Sequence, residues 1–411
     1  MKPKRAILKF LAIVAIILAI VASCKKNEDP ITYDYYVSKE LVAPFTKIYI
    51  NGLIDNASGS IPEIALIKPL VISDVNIYKI IYKTTVDGSE ITASGLVCAP
   101  SAPGEYPMLS FQNGTNTMNA FSPTEYPLNY SFQLIELLAS TGYIVLIADY
   151  PGFGESSSIT HPYLVKEPTV QSVVDMLYAV KELGISELPG VTVKNECYLL
   201  GYSQGGWATL AIHKALELEY NNDFTLMGSA CGAGPYNISL LLSGMVNLTT
   251  YPQPYYLGYI LNAYSKYGQF TNPISDLFRE PYAARVGTMY NGTLTSDQLN
   301  AQLTTSIPDL MTSEFLADYS TSAKYSSVRA SLESNSISAW HGYKPLLMLH
   351  GSADLDVNPV STENMYAAMV QAGTSTDLIK KVIVPDVNHS QGIIPCMLQG
   401  ILFLENIKNS K

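Results

Sequence analysis

One short segment, Gly201-Tyr202-Ser203-Gln204-Gly205-Gly206, constrains the fold of this chain more than any other. It follows the apolar run Cys197-Tyr198-Leu199-Leu200 and precedes a helical pattern that starts near Trp207. A strand, a glycine-flanked serine and a helix, in that order, are what a nucleophile elbow requires, a tight turn that exposes a serine hydroxyl. Glycine is expected at 201 and 205 because a side chain there would collide with the neighbouring strand or helix. We therefore predict that Ser203 is a nucleophile.

Strands and helices alternate along most of the chain around this segment. A hairpin comes first, because apolar and polar residues alternate over 75–84 and 91–98 and Asp87-Gly88 supplies a turn between them. Apolar strands are then predicted at 108–111, 143–148, 197–200, 226–231, 345–350 and 381–384, and helices at 131–140, 169–183, 207–217, 363–372 and 395–406. The pattern favours an α/β fold, a mostly parallel sheet with helices on both faces. Residues 30–70 have no clear place in it beyond short helix-like patches such as 60–66.

The alternation stops between residues 235 and 340. This stretch has no clear strand, many prolines and glycines, and a tyrosine-rich section: Tyr251, Tyr255, Tyr256, Tyr259, Tyr264 and Tyr267. We interpret it as a helical cap inserted between two parts of the core, residues 41–234 and 341–411. The tyrosines suit either sugar stacking or an acyl groove, but the chain has 29 tyrosines and core filling is an equal interpretation.

A nucleophilic serine needs a base, which is usually a histidine held by a carboxylate. Of the five histidines, His389 follows the last predicted strand, in a loop at the carboxyl edge of the sheet where ligands bind in open α/β folds. We predict His389 as the base. For the acid, the strand 345–350 runs into a loop that contains Asp354 and Asp356, and Asp386 is a weaker alternative that suits a turn.

Two backbone N–H groups must also stabilise the developing oxyanion. One is expected from Gln204, the residue after the nucleophile, and the other from the loop after the third predicted strand, Gln112-Asn113-Gly114-Thr115. We assign Thr115 as the second donor, with Gly114 as the alternative.

Together these segments resemble the secreted lipase/esterase group of the α/β-hydrolase fold, over roughly residues 75–405. The resemblance is carried by the elbow 201–206, the loop 350–359, His389, and the stretch 149–156 with His161-Pro162-Tyr163 downstream. It implies that the serine, the aspartate and the histidine follow one another in that order along the chain. It also implies that the acid is Asp354, because the motif His-Gly-x-x-Asp followed by Val-x-Pro is similar to the acid loop of many members, and Asp356 is then solvated or caps a helix. It is strongest with bacterial esterases of plant cell-wall or carbohydrate esters. Many relatives have His-Gly where this chain has Asn113-Gly114.

The N-terminus is predicted to be a targeting segment. A basic start precedes an apolar stretch, Phe10 to Ala22, that is too short for a comfortable membrane span and ends in Val21-Ala22-Ser23-Cys24. This resembles a bacterial lipoprotein signal over residues 1–23, with Cys24 lipidated and residues 24–40 as a tether. We expect an exported lipoprotein at the outer membrane or cell surface, anchored through Cys24.

The function predicted from these features is hydrolysis of carboxylic esters, small-molecule or polysaccharide, by Ser203, His389 and Asp354 without a cofactor. A serine peptidase of the same fold and a catalytically silent surface binding protein are the alternatives. The net charge of −10 argues against nucleic acid as a partner. No cysteine–histidine cluster has metal-ligand spacing, and Cys197 and Cys231 are expected as buried free thiols.

Overall fold

A computed structural model describes residues 32–410 of the chain. The predicted signal segment, the lipidation site Cys24 and the tether up to residue 31 lie outside the described residues. The strands, in chain order, are β1 (Tyr36–Phe45), β2 (Val75–Val86), β3 (Ser89–Pro100), β4 (Gly104–Gln112), β5 (Ile144–Ala148), β6 (Val191–Tyr202), β7 (Thr225–Gly232), β8 (Leu346–Gly351) and β9 (Ile379–Val384). They form one sheet in the order β1-β2-β3-β5-β4-β6-β7-β8-β9.

The sheet is mostly parallel, as predicted. The predicted hairpin is β2 and β3, which pair antiparallel up to Val86 and Ser89, and its turn residues Asp87 and Gly88 both have positive φ. In a two-residue hairpin loop, a turn with positive φ at both residues has a twist that matches the twist of the flanking strands. From β5 onward every neighbouring pair is parallel, so the carboxyl ends of β4, β6, β7, β8 and β9 share one edge.

Helices cover both faces of the sheet. The helices of the core are α1 (Lys47–Ser58), α2 (Tyr130–Glu136), α3 (Lys166–Ser186), α4 (Gln204–Leu218), α13 (Val360–Gln371) and α14 (His389–Asn409). Apolar residues of α1 and α14 share one buried cluster with one face of the strands, while α3 and α4 contact each other and the strands β2, β6 and β7. The strands β5 and β8 are fully buried, which explains their continuous apolar sequences.

The cap is a helical insertion between β7 and β8, which are neighbours in the sheet. Its helices are α5 (Ile238–Val246), α6 (Tyr255–Lys266), α7 (Ile274–Leu277), α8 (Tyr282–Met289), α9 (Ser296–Asn300), α10 (Ile307–Leu310), α11 (Ser313–Asp318) and α12 (Ser326–Asn335). Tyr259 and Tyr264 in α6 donate hydrogen bonds to the carbonyls of Asn116 and Leu164 in the core. Tyrosine hydroxyls therefore tie the cap to the loops that follow β4 and β5.

The predicted tether, residues 24–40, extends too far, because residues 36–40 belong to β1. This strand pairs antiparallel with β2, and the Glu182 side chain accepts hydrogen bonds from the amides of Tyr35 and Tyr36. β1 lies at the edge of the sheet and most of its side chains are at least partly exposed. Without a buried face it has no alternating apolar pattern, which is why the sequence did not indicate a strand there.

The predicted start of the closing helix is also wrong, because α14 begins at His389 and not at residue 395. Asn388 caps it, accepting from the amide of Gln391 while the Gln391 side chain accepts from the amide of Asn388. Such a reciprocal cap marks a helix start, whereas Pro395, read as a first helical residue, lies inside the helix. His389 is therefore the first residue of a helix and not part of a loop.

The helix predicted at 131–140 is shorter than expected, since α2 ends at Glu136 and a 3₁₀ turn follows it.

Cys98, Cys197, Cys231 and Cys396 are all buried and free, as predicted for Cys197 and Cys231. Within residues 32–410, no helix combines the length and the apolar character that crossing a bilayer demands.

Candidate active site

Ser203 sits on the sharp turn predicted between β6 and α4. Its backbone has φ +59° and ψ −123°, a conformation that costs a non-glycine residue energy and persists only where the surroundings impose it. The Ser203 amide donates to the carbonyl of Gly232 in β7 at 2.8 Å, and its carbonyl accepts from Trp207 in the first turn of α4. A Cβ at position 205 would overlap the carbonyl oxygen of Gln112 in β4. The turn therefore requires glycine there, as the sequence analysis expected.

The serine, histidine and aspartate singled out in the sequence meet at this edge of the sheet. Ser203 Oγ lies 2.8 Å from His389 Nε2, and His389 Nδ1 lies 2.6 Å from Asp354 Oδ2. Because a carboxylate only accepts, Nδ1 carries the proton and the Nε2 lone pair faces the serine hydroxyl. This is the arrangement in which an imidazole accepts a proton from serine.

Asp354, not Asp356, is the carboxylate that meets His389. Asp354 is 2 % exposed, and its Oδ1 accepts from the backbone amides of Asp356 and Val357 at 3.0 and 2.9 Å. Burial raises its pKa, but hydrogen bonds from His350, His389 and the Val357 amide outweigh this and lower the pKa to about 2. The third candidate, Asp386, is an exposed turn residue with φ +60°.

His350 is a second imidazole on the acid that sequence reasoning did not identify as a partner. It is fully buried at the end of β8, with Nε2 2.8 Å from the Val357 carbonyl and 3.2 Å from Asp354 Oδ2. A carbonyl also only accepts, so His350 Nε2 carries a proton and faces the carboxylate, while Nδ1 lies 2.8 Å from the Thr362 hydroxyl. The feature of the sequence that could have indicated this contact is the His-Gly-x-x-Asp motif, which begins at His350 and ends at Asp354.

The elbow also holds the histidine in place. The Tyr202 hydroxyl donates to the His389 carbonyl at 2.7 Å, and the two rings lie 5.3 Å apart. Together with the Asn388 cap at the start of α14, this contact fixes the backbone of His389 relative to Ser203.

The two segments predicted to form an oxyanion hole lie beside Ser203. Gln204 is the first residue of α4, so its amide has no partner within the helix. A Cβ placed on Gly114 would lie 3.9 Å from the Ser203 Cβ, so the loop after β4 runs past the nucleophile. In the part of the chain that the structure describes, the amides of Gly114 and Thr115 donate to no other residue. The Thr115 hydroxyl lies 2.9 Å from the Tyr163 hydroxyl. The choice of Thr115 over Gly114 as the second oxyanion donor stays a prediction.

The stretch 149–163 anchors Gln204, a role that the sequence did not indicate. His161 Nδ1 lies 2.7 Å from the Pro151 carbonyl and therefore donates to it, which leaves Nε2 to accept from the Gln204 side-chain amide at 2.9 Å. Burial lowers the pKa of His161 to about 4, so the ring is neutral at physiological pH. Neutral His161 thus fixes the side chain of the residue that directly follows Ser203.

The cap leaves little space above Ser203. The pocket there is partly open to solvent and has a volume of about 10 Å³, enough for about one water molecule. Its walls come from the elbow, the loop after β5, the cap, and the loop 350–359, which we call the acid loop: Tyr163, Gln204, Leu241, Met245, Tyr256 and Asp356, among others. The free space beside Ser203 is therefore small and is bounded by side chains of both the cap and the core. Among the residues described, no group of three or more His, Cys, Asp or Glu side chains is placed to hold a metal ion.

Comparison with known proteins agrees with this architecture. Residues 113–396 match the model of the alpha/beta hydrolase family, and the curated proteins contain no match. A candidate hydrolase from Legionella pneumophila superposes with a TM-score of 0.80 at 23% identity, covering 91% of this chain and 98% of that one. The rice cell wall degrading esterase LipA from Xanthomonas oryzae gives 0.75 at 23% identity, covering 91% and 97%. Candida antarctica lipase A in its closed state gives 0.67 at 14% identity, covering 94% and 84%. The structural matches establish a shared fold, and because the family match spans more than half of the chain, this protein belongs to the α/β-hydrolase family.

Proposed function

We propose that the protein is a serine hydrolase of carboxylic esters. The observation that carries the proposal is the continuous hydrogen-bonded series from Ser203 Oγ through His389 to Asp354, on a strained turn that holds the serine at the edge of the sheet. A protein that only bound its ligand would have no use for a base aligned on a strained serine, so the arrangement favours catalysis over binding alone.

In the proposed reaction Ser203 Oγ attacks the ester carbonyl carbon while His389 Nε2 accepts the hydroxyl proton. Asp354 holds the imidazole in the required tautomer and stabilises the imidazolium. The amides of Gln204 and Thr115 stabilise the oxyanion. His389 then protonates the departing alcohol and activates the water that hydrolyses the acyl-enzyme. These steps use side chains and backbone amides of this chain and need no cofactor.

We further propose a substrate among carbohydrate or cell-wall esters, encountered outside the cell. Support comes from the resemblance to secreted esterases and from the likeness of the fold to an esterase that degrades rice cell walls. Anchoring through a lipidated Cys24 would hold the enzyme at the outer membrane or cell surface. Comparing hydrolysis of acetylated or feruloylated polysaccharide with that of long-chain acyl esters tests the substrate class, and a clear preference for the long-chain esters would contradict it.

Replacing the nucleophile tests the reaction itself. We expect Ser203→Ala to lower kcat for 4-nitrophenyl acetate and butyrate by about 10³-fold or more, because the attacking oxygen is lost. Circular dichroism and thermal unfolding should show a folded protein, since the substitution removes one oxygen atom. Undiminished hydrolysis by a folded Ser203→Ala protein would contradict the proposed function.

A further inference from the structure

We propose that the pocket beside Ser203 selects esters in which the group next to the ester bond is cationic or rich in hydroxyl donors. It discriminates against esters in which that group is negatively charged. The proposal rests on the proposed ester hydrolase function and names the substrate class of the same site. It follows from two hydrogen-bond acceptors on residues that line the pocket, the Asp356 carboxylate and the Gln204 side-chain oxygen.

Asp356 lines the same cavity as Ser203 and His389 and is half-buried. Its backbone amide donates to Asp354, but within residues 32–410 its own carboxylate has no hydrogen bond, and no lysine or arginine forms an ion pair with it. Burial raises the pKa of Asp356 and the His389 imidazole opposes this. A half-buried carboxylate without a donor gains from any donor or cation that a ligand brings to it.

Gln204 provides the second acceptor. The side chain is 1 % exposed and lines the cavity. Its orientation is fixed by chemistry: His161 Nε2 only accepts, because His161 Nδ1 donates to the Pro151 carbonyl, so the amide nitrogen of Gln204 must face His161. The oxygen Oε1 is then the free end, and it is buried without a partner among the described residues. A buried acceptor of this kind is costly unless a ligand or water satisfies it.

The other walls offer no cation to compensate for these acceptors. Apolar side chains from the cap and the acid loop supply most of the remaining surface: Pro235, Leu241, Met245, Ile260 and Val357. Two tyrosine hydroxyls also belong to the wall: the Tyr163 hydroxyl is already paired with Thr115, and within residues 32–410 no hydrogen bond joins Tyr256 to Asp356. An anionic substrate group would lose its hydration and meet a like charge, whereas a cation or hydroxyl donor would complete the pocket.

Three S-butyryl thioesters that differ only in leaving-group charge test the proposal. Butyrylthiocholine is cationic, its 3,3-dimethylbutyl analogue is a neutral isostere, and S-butyryl-3-mercaptopropanesulfonate is anionic. We expect kcat/KM to fall in that order, by about tenfold per step, which corresponds to one screened charge interaction in a half-exposed pocket. Asp356→Asn should bring the three values to within about twofold of one another, whatever its effect on their common level.

Asp377→Asn is the matched control, because it removes one carboxylate charge from an exposed residue before β9, at the opposite edge of the sheet from the site. It should leave the order and the ratios intact. Equal charge ratios in the native protein and in Asp356→Asn, or a native preference for the sulfonate, would overturn the proposal. Calorimetric binding of the same thioesters to Ser203→Ala, with and without Asp356→Asn, measures the charge preference without hydrolysis. Failure of the ester hydrolase function and failure of the charge preference are therefore separate results.

Discussion

Asp354 and Asp356 are two residues apart, yet only Asp354 contacts His389. We expect Asp354→Asn to lower kcat for 4-nitrophenyl butyrate by about 10³- to 10⁴-fold, because an amide in that position favours the wrong imidazole tautomer. Asp386→Asn, which changes the third predicted carboxylate at an exposed turn, should leave kcat within about twofold. If the two variants lost activity equally, Asp354 would not be the acid.

At the residue scale, chain order predicts which loops meet at one edge of the sheet, whereas the choice of Asp354 over Asp356 came from the family resemblance. Ser203, His389 and Asp354 each follow a readable strand, and parallel strands bring their carboxyl ends to one edge. The contacts of His350 with Asp354 and of His161 with Gln204 were not predictable in this way. They depend on the path of a loop and on ring orientation, which no periodic pattern in the sequence encodes.

At the scale of the element, the elbow works because α4 approaches the end of β4 closely. We expect Gly205→Ala to lower the free energy of unfolding by roughly 3 kcal/mol and to reduce kcat, because the added methyl group would overlap the Gln112 carbonyl and displace the loop that leads to Gly114. Chemical unfolding and steady-state kinetics measure the two effects.

Gly244 in the cap helix α5 is the matched control for that substitution. Nothing lies within 4 Å of a Cβ placed there, and its φ is not in the left-handed region. Alanine is the better helix former, so Gly244→Ala should be neutral or stabilising by up to about 1 kcal/mol. Similar losses of stability in both variants would mean that general helix effects, and not the close approach at the elbow, require glycine at 205.

Strands and helices were predictable from the sequence where their burial produces a recognisable pattern of apolar residues. The strands β5 and β8 are fully buried and appear as apolar runs, while β1 is exposed along most of its length and was missed. The start of α14 was misplaced because Pro395 resembles a first helical residue, although the Asn388–Gln391 cap was visible in the sequence.

At the scale of the whole molecule, the cap packs against the core beside Ser203 and His389. The rings of Tyr163 in the core and Tyr259 in the cap stack with centroids 4.2 Å apart, and Tyr259 stacks in turn on Tyr290 at 4.9 Å. The tyrosines of the cap are thus largely packing and hydrogen-bonding residues, whereas Tyr256 also lines the cavity. The sequence left those two roles open because both use the same side chain.

The buried carboxyl group of Glu136 should contribute to the pH dependence of the stability of the whole molecule. Glu136, at the end of α2, is 0 % exposed, and neither of its oxygens has a partner in the described part of the chain. Burial raises its pKa to about 8. In the unfolded chain the group ionises near its ordinary pKa of 4.5, so between these two pH values the native state holds a proton that the unfolded state releases. Native stability is therefore lost as pH rises through this window.

Glu136→Gln removes this titration. We expect the free energy of unfolding of the variant, relative to the native protein, to increase by roughly 3 kcal/mol between pH 5 and pH 8. Urea unfolding at the two pH values measures the change, and any constant packing effect of the amide cancels in the comparison. Glu63→Gln, at an exposed position in the segment after α1, should show no such increase. A constant difference between native protein and Glu136→Gln would mean that Glu136 is ionised in the folded state, and that water or a neighbouring group solvates it.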